Sequence, residues 1–155
     1  MDVKHINPFL DSFLNVMPQV GLTDVQKKGI SLKGRFIESP GVMIILGIMG
    51  DIKGNVIYGT SIESAKKIAS SMMMGMPVNE LDELAQSAIS ELTNMLTANA
   101  AINFSKENIE INISTPTLVH GEFTANSSSD KVVCVEMQVN DMVFEVNIAL
   151  EKNTL

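Results

Sequence analysis

The chain has 155 residues, 45% of them apolar and 19% charged, which suits one domain able to bury about two-thirds of the surface its unfolded chain exposes. Its 18 acidic residues outnumber 11 basic ones, a net charge of −7, and this argues against nonspecific binding to nucleic acid or anionic membrane, where a cationic field supplies most of the affinity. A single cysteine, Cys134, excludes an internal disulfide framework and any cysteine-based metal cluster.

The first residues lack a basic region followed by an apolar stretch, so no signal peptide is visible. Residues 4–17 place His5, Phe9, Leu10, Phe13, Leu14 and Met17 at helical spacing and stop before Pro18, because proline disfavours helical geometry in the residue ahead of it. From 25 to 38 the pattern loosens toward alternation and predicts a strand. Residues 42–49 and 55–60 are rich in Ile and Val and read as strands joined by the turn Gly50-Asp51-Ile52-Lys53-Gly54. The run 42–49 is broken by Gly47 and is far shorter than the roughly 20 apolar residues of a membrane span. A reducing cytoplasm is the expected compartment. Ser61 is a plausible N-cap for a helix to about Met74, with Ala65, Ile68, Ala69 and Met72 on its buried face; Gly75 closes it and Pro77 prevents re-entry.

Asn79 is a candidate N-cap for the longest helix, which runs to about Phe104 with Glu80, Asp82 and Glu83 in its first turn. A strand follows at 109–113, before Pro116. Residues 131–139 and 142–150 alternate as two further strands about an Asn140-Asp141 hairpin, and the serine-rich stretch 125–130 reads as a loop. The expected architecture is a single α+β domain, with about three helices packed on a mainly antiparallel sheet of about six strands.

Chemistry concentrates on the long helix. Ser87, Glu91 and Asn94 follow at intervals of four and three and share one stripe. Leu81, Leu84, Ala85, Ala88, Leu92, Met95 and Leu96 form an apolar stripe elsewhere, so Glu91 and Asn94 should point away from the core. An outward carboxylate and carboxamide one turn apart can reach a partner together. On spacing alone the same residues also describe an ordinary solvated helix face. The other signals are weaker. His5 and His120 lack companions at metal-ligand spacing, apart from Glu122 beside His120, and no GxSxG nucleophile motif is present. Cys134 falls among alternating valines and is expected to pack. Eleven methionines stand against one tyrosine and no tryptophan. Met72, Met95 and Met137 fit core positions, which leaves Met73 and Met76 as candidates for a partner surface.

The pattern Ser87, Glu91, Asn94 and then a distant Pro116 resembles the signature of the CheX/CheC/FliY chemotaxis phosphatases. The flanking segments Leu81-Asp82-Glu83-Leu84-Ala85 and Thr115-Pro116-Thr117-Leu118-Val119 match it as well, and residues 50–58 with Met72-Met73-Met74-Gly75-Met76 resemble the CheX branch. The resemblance implies hydrolysis of the aspartyl phosphate on a CheY-like receiver domain. It gives Glu91 the role of anchoring a receiver lysine and Asn94 that of positioning the attacking water. It places Ser87, Glu91, Asn94 and Ala98 on the partner-binding face and makes Ser87 and Pro116 supporting residues. This chain would bind no cofactor, and the receiver would supply Mg²⁺. A receiver-binding adaptor without catalysis is the alternative, using the same helix face.

CheC-type members carry a second copy of the motif on the N-terminal helix. Here Asp11 would begin it, but Asn15 replaces the Glu and Pro18 the Asn, so one site per chain is expected. Likeness to CheX also implies a homodimer joined through the sheets, with no nucleic acid or membrane partner.

Overall fold

The computed structural model describes residues 3–154. Helix α1 (Asn7–Val16) is flanked by 3-10 turns at Val3–His5 and Met17–Val20. Strands β1 (Val25–Lys33), β2 (Phe36–Glu38), β3 (Val42–Gly50) and β4 (Ile52–Thr60) follow, then helices α2 (Ile62–Met72) and α3 (Glu83–Lys106). The chain continues through β5 (Ile111–Ile113), β6 (Thr117–His120), β7 (Thr124–Asn126), β8 (Val132–Val139) and β9 (Met142–Lys152). Seven strands form an antiparallel sheet in the order β1-β8-β9-β4-β3-β5, with β6 also paired to β3; β2 and β7 make a separate ribbon.

The α+β architecture is as expected, with more strands than the alternation reveals. Residues 25–38 divide into β1 and β2, and the expected loop at 125–130 begins inside β7. These extra strands are three or four residues long, too short to show a period, and β6 pairs with a strand more than 70 residues upstream (Ile45 opposite Thr117).

Alternation sorts the sheet into two faces. Val42, Ile44, Leu46 and Ile48 of β3, with Phe144, Val146, Ile148 and Leu150 of β9, pack beneath the helices in the main core. Met43 and Ile57 point the other way, into a smaller cluster with Ile37 and Ala125 of the β2–β7 ribbon. Cover on both faces explains why β3 reads as a nearly continuous apolar run.

At α2 the sequence expectation holds, since Ser61 Oγ accepts a hydrogen bond from the Ser64 N–H at 3.1 Å. Its exit uses two left-handed residues, Met74 (φ 58°) and Gly75 (φ 87°), and the Gly75 N–H donates to Ser70 O at 2.8 Å. The start of α3 is corrected. Asp82 is the N-cap, and Asn79 and Glu80 precede the helix. Both Asn and Asp cap well, and here Val78 and Leu81 pack against the core ahead of the first turn, which delays the helix by three residues.

Helix α3 has 24 residues, about 36 Å of axis. Its buried side chains are Ala85, Ile89, Leu92, Thr93, Leu96, Thr97, Ala100 and Phe104. Leu84, expected on that stripe, is 61% exposed, because the buried arc is centred on Ile89 and Leu96 and Leu84 lies outside it. The methionines also need one exchange. Met73 packs against the core, while Met74 beside it is 97% exposed and Met76 is exposed too. No helix among the described residues is long and apolar enough to cross a membrane.

Candidate functional site

Ala85, Ile89, Leu92, Leu96, Ala100 and Phe104 bury one face of α3 in the main core and turn the opposite face outward. At 100° per residue, Ser87, Glu91, Asn94 and Ala98 fall within roughly 60° of arc on that outward face. Ser87, Glu91 and Asn94 line an open groove of about 660 Å³, and Pro116 lines it from the facing wall. Ala98, one turn beyond Asn94, is half-buried and does not line the groove.

The facing wall exists because the strand beside β3 is interrupted. β5 pairs with Ile48, Met49 and Gly50, and β6 with residues from Val42 to Ile45. Ser114 bridges the gap, its N–H donating to Gly47 O at 3.0 Å and its Oγ accepting from the Gly47 N–H at 2.8 Å. Thr115 and Pro116 cross the break, where a proline costs no ladder hydrogen bond. The wall and the helix are thus referenced to the same strand.

Five lining residues escaped the sequence reading: Glu83, Gln86, Ser90, Thr115 and Leu118. Gln86, Ser90 and Asn94 recur every four residues, so a second polar row beside Ser87 and Glu91 was the available signal. Thr115 had none beyond its place next to Pro116. Gln86 Nε2 donates to Leu81 O at 2.8 Å and steadies the helix entry. The side chains of Ser87, Glu91 and Asn94 make no hydrogen bond or ion pair with another described residue. The charged residues of the lining, Glu83 and Glu91, are both acidic, so the groove favours a partner presenting a basic group. A carboxylate that can take a cation therefore stands one turn from a carboxamide that can both donate and accept.

The remaining candidates lie elsewhere. On α1 the Asn15 carboxamide donates to Asn99 Oδ1 at 3.1 Å, tying α1 to α3, and Pro18 sits in a 3-10 turn. Cys134 is buried in β8, and burial pushes its thiol upward. Among the described residues no three His, Cys, Asp or Glu side chains are grouped to hold a metal ion.

The family model described as chemotaxis phosphatase CheX matches residues 42–138. The CheY-P phosphatase CheX of Thermotoga maritima is 38% identical over 122 residues, which cover 78% of each chain. A CheC-like superfamily protein from Shewanella sp. PV-4 superposes with a TM-score of 0.85 at 27% identity, covering 97% of this chain and 99% of that one. A CheX from Borrelia burgdorferi, solved in complex with CheY, BeF3 and Mg²⁺, shares the fold with a TM-score of 0.75 at 21% identity, covering 96% of this chain and 98% of that one. From the family-model match and the Thermotoga relative together, the chain belongs to the CheX/CheC/FliY chemotaxis phosphatase family.

Proposed function

We propose that this groove docks a phosphorylated CheY-like receiver domain and hydrolyses its aspartyl phosphate. The observation that carries the reading is the pairing of Glu91 with Asn94, two unengaged side chains on one groove-lining stripe of a helix seated in the core. The Thermotoga relative named a CheY-P phosphatase and the Borrelia complex with CheY support the same partner class.

Glu91 takes a lysine of the receiver and so orients α3 across the partner's active site. Asn94 reaches in and holds a water in line with the phosphorus. The water oxygen bonds to phosphorus as the bond to the aspartyl oxygen breaks, releasing phosphate and a free carboxylate. An amide is no strong base, but acyl phosphates are labile, and phosphoryl transfer demands mainly positioning and charge neutralisation. Glu83 and Glu91 stand two turns apart, roughly 12 Å along the axis, and do not form a shared ion site. The reading gives Mg²⁺ to the receiver, where it neutralises charge on the phosphoryl group.

A homodimer joined through the sheets belongs to the same reading. β1 is an edge strand of nine residues whose Ile30 and Leu32 are 52% and 82% exposed, a surface that a second copy would cover.

The test is decay of phosphorylated receiver in the presence of wild type and of Asn94→Ala. Wild type accelerates decay, and the variant loses at least about 100-fold of that acceleration while still binding the receiver. Spontaneous decay with both proteins and every cognate receiver would end the enzyme reading in favour of the adaptor. Equal acceleration by both would remove Asn94 from the mechanism.

A further inference from the structure

A buried hydrogen bond ties α3 to the sheet one turn beyond Asn94. Tyr58, near the end of β4, is fully buried, and its ring packs against Phe13 of α1 and Phe144 of β9 with centroids 6.3 and 5.9 Å away. Its hydroxyl lies 2.8 Å from Thr97 Oγ1. Thr97 Oγ1 donates to Thr93 O at 2.7 Å, and Thr93 Oγ1 donates to Ser90 O at 2.9 Å. A threonine hydroxyl has one proton, and Thr97 uses it on Thr93, so Tyr58 is the donor to Thr97. The bond therefore runs from β4 into α3, where Thr97 and Thr93 are bonded back to their own helix beside the groove-lining Ser90.

Two features point past packing. Phe and Val would fill the same volume with no polar group to satisfy, a replacement that costs little when both partners are removed together. Threonine hydroxyls bonded back to their own helix also bend it, and these two bracket Asn94. We infer that Tyr58 is a positioning residue, which by donating to Thr97 sets the register and rotation of α3 and hence the direction in which Asn94 enters the groove. The inference rests on the hydrolytic reading of that groove.

The test compares Tyr58→Phe, Thr97→Val and the double variant. Thr97→Val alone strands the phenol in the core and lowers the melting temperature; the double variant, with no hydroxyl left over, regains it. The double variant is expected to keep receiver affinity and KM within about twofold yet to lose roughly tenfold in kcat, the scale of a modest misplacement. A packing role predicts that turnover returns with stability, so wild-type kcat in the double variant overturns the inference. Tyr58→Phe alone, which strands no donor, decides the matter by the same split should the double variant not fold. If wild type accelerates no decay, the hydrolytic reading fails by itself, and the Asn94 side-chain amide resonances of the free protein then judge positioning. Displaced resonances in the variants uphold it, and superimposable ones overturn it.

Discussion

The Asp82 carboxylate accepts a hydrogen bond from the Ala85 N–H at 2.9 Å and caps the first turn of α3. Asp82→Ala should lower stability by about 1 kcal/mol, and Asp82→Asn by much less, as read by denaturant unfolding. The loss should be local: amide exchange should quicken around Glu83 and Gln86 and stay slow around Leu96. Uniform quickening would mean that the cap supports the whole fold.

Both charged residues of the groove are carboxylates, so receiver binding should weaken as salt rises and screening shortens to about 10 Å at 0.1 M. Glu91→Gln should reduce affinity about two- to fivefold, the range of an exposed ion pair, and flatten the salt dependence. Titration calorimetry across a salt series reads both effects. An unchanged slope would show that Glu91 faces no partner charge.

Gly54 in β4 has φ 143°, and a Cβ there would collide with Ala149 O on the neighbouring strand. Gly54→Ala should therefore cost at least about 2 kcal/mol, since backbone on both strands must move. Gly29 in β1 has nothing within 4 Å, and Gly29→Ala should stay within about 0.5 kcal/mol of wild type. The pair, measured side by side by thermal unfolding, separates steric demand from the general cost of altering a strand glycine.

Burial pushes the Tyr58 phenol far above its ordinary range. The folded chain therefore keeps a proton that the unfolded chain releases above about pH 10. Stability from this group is complete below that pH and falls as pH rises further, because the unfolded state then binds fewer protons. Tyr58 is the one tyrosine in a chain without tryptophan, so tyrosinate absorbance follows it alone. The signal should appear together with unfolding, and a smooth titration near pH 10 in folded protein would contradict the buried placement. Tyr58→Phe should shallow the alkaline loss of stability.

Local chemistry was legible where it had one solution. Ser61 as a cap, Gly75 at the exit of α2 and the Asn140-Asp141 hairpin each follow from residue types suited to a single conformation. The beginning of α3 had two competent caps, Asn79 and Asp82, and the choice fell to the packing of Val78 and Leu81, which is a tertiary matter. Strand β6 was invisible for a related reason: four residues between Pro116 and Gly121 carry no period, and pairing with β3 alone makes them a strand. The site divides the same way. Ser87, Glu91 and Asn94 could be placed on one stripe by counting. Their facing wall depends on Ser114 filling a break opposite Gly47, a contact across 67 residues that no local pattern encodes.

The side chains that seat α3 in the core, Ala85, Ile89, Leu92, Leu96, Ala100 and Phe104, share no position with those that line the groove. Apart from the Tyr58–Thr97 bond, mutational drift on one face is therefore nearly uncoupled from drift on the other. A descendant could exchange Asn94 for a residue unable to hold water and keep the same curvature, stability and appetite for a receiver. Under the hydrolytic role proposed above, such a protein would shelter the acyl phosphate and prolong the signal instead of ending it. On the proposed reading, similarity of shape in this lineage is thus a poor witness to the sign of the output, because a single carboxamide would separate an off-switch from a memory.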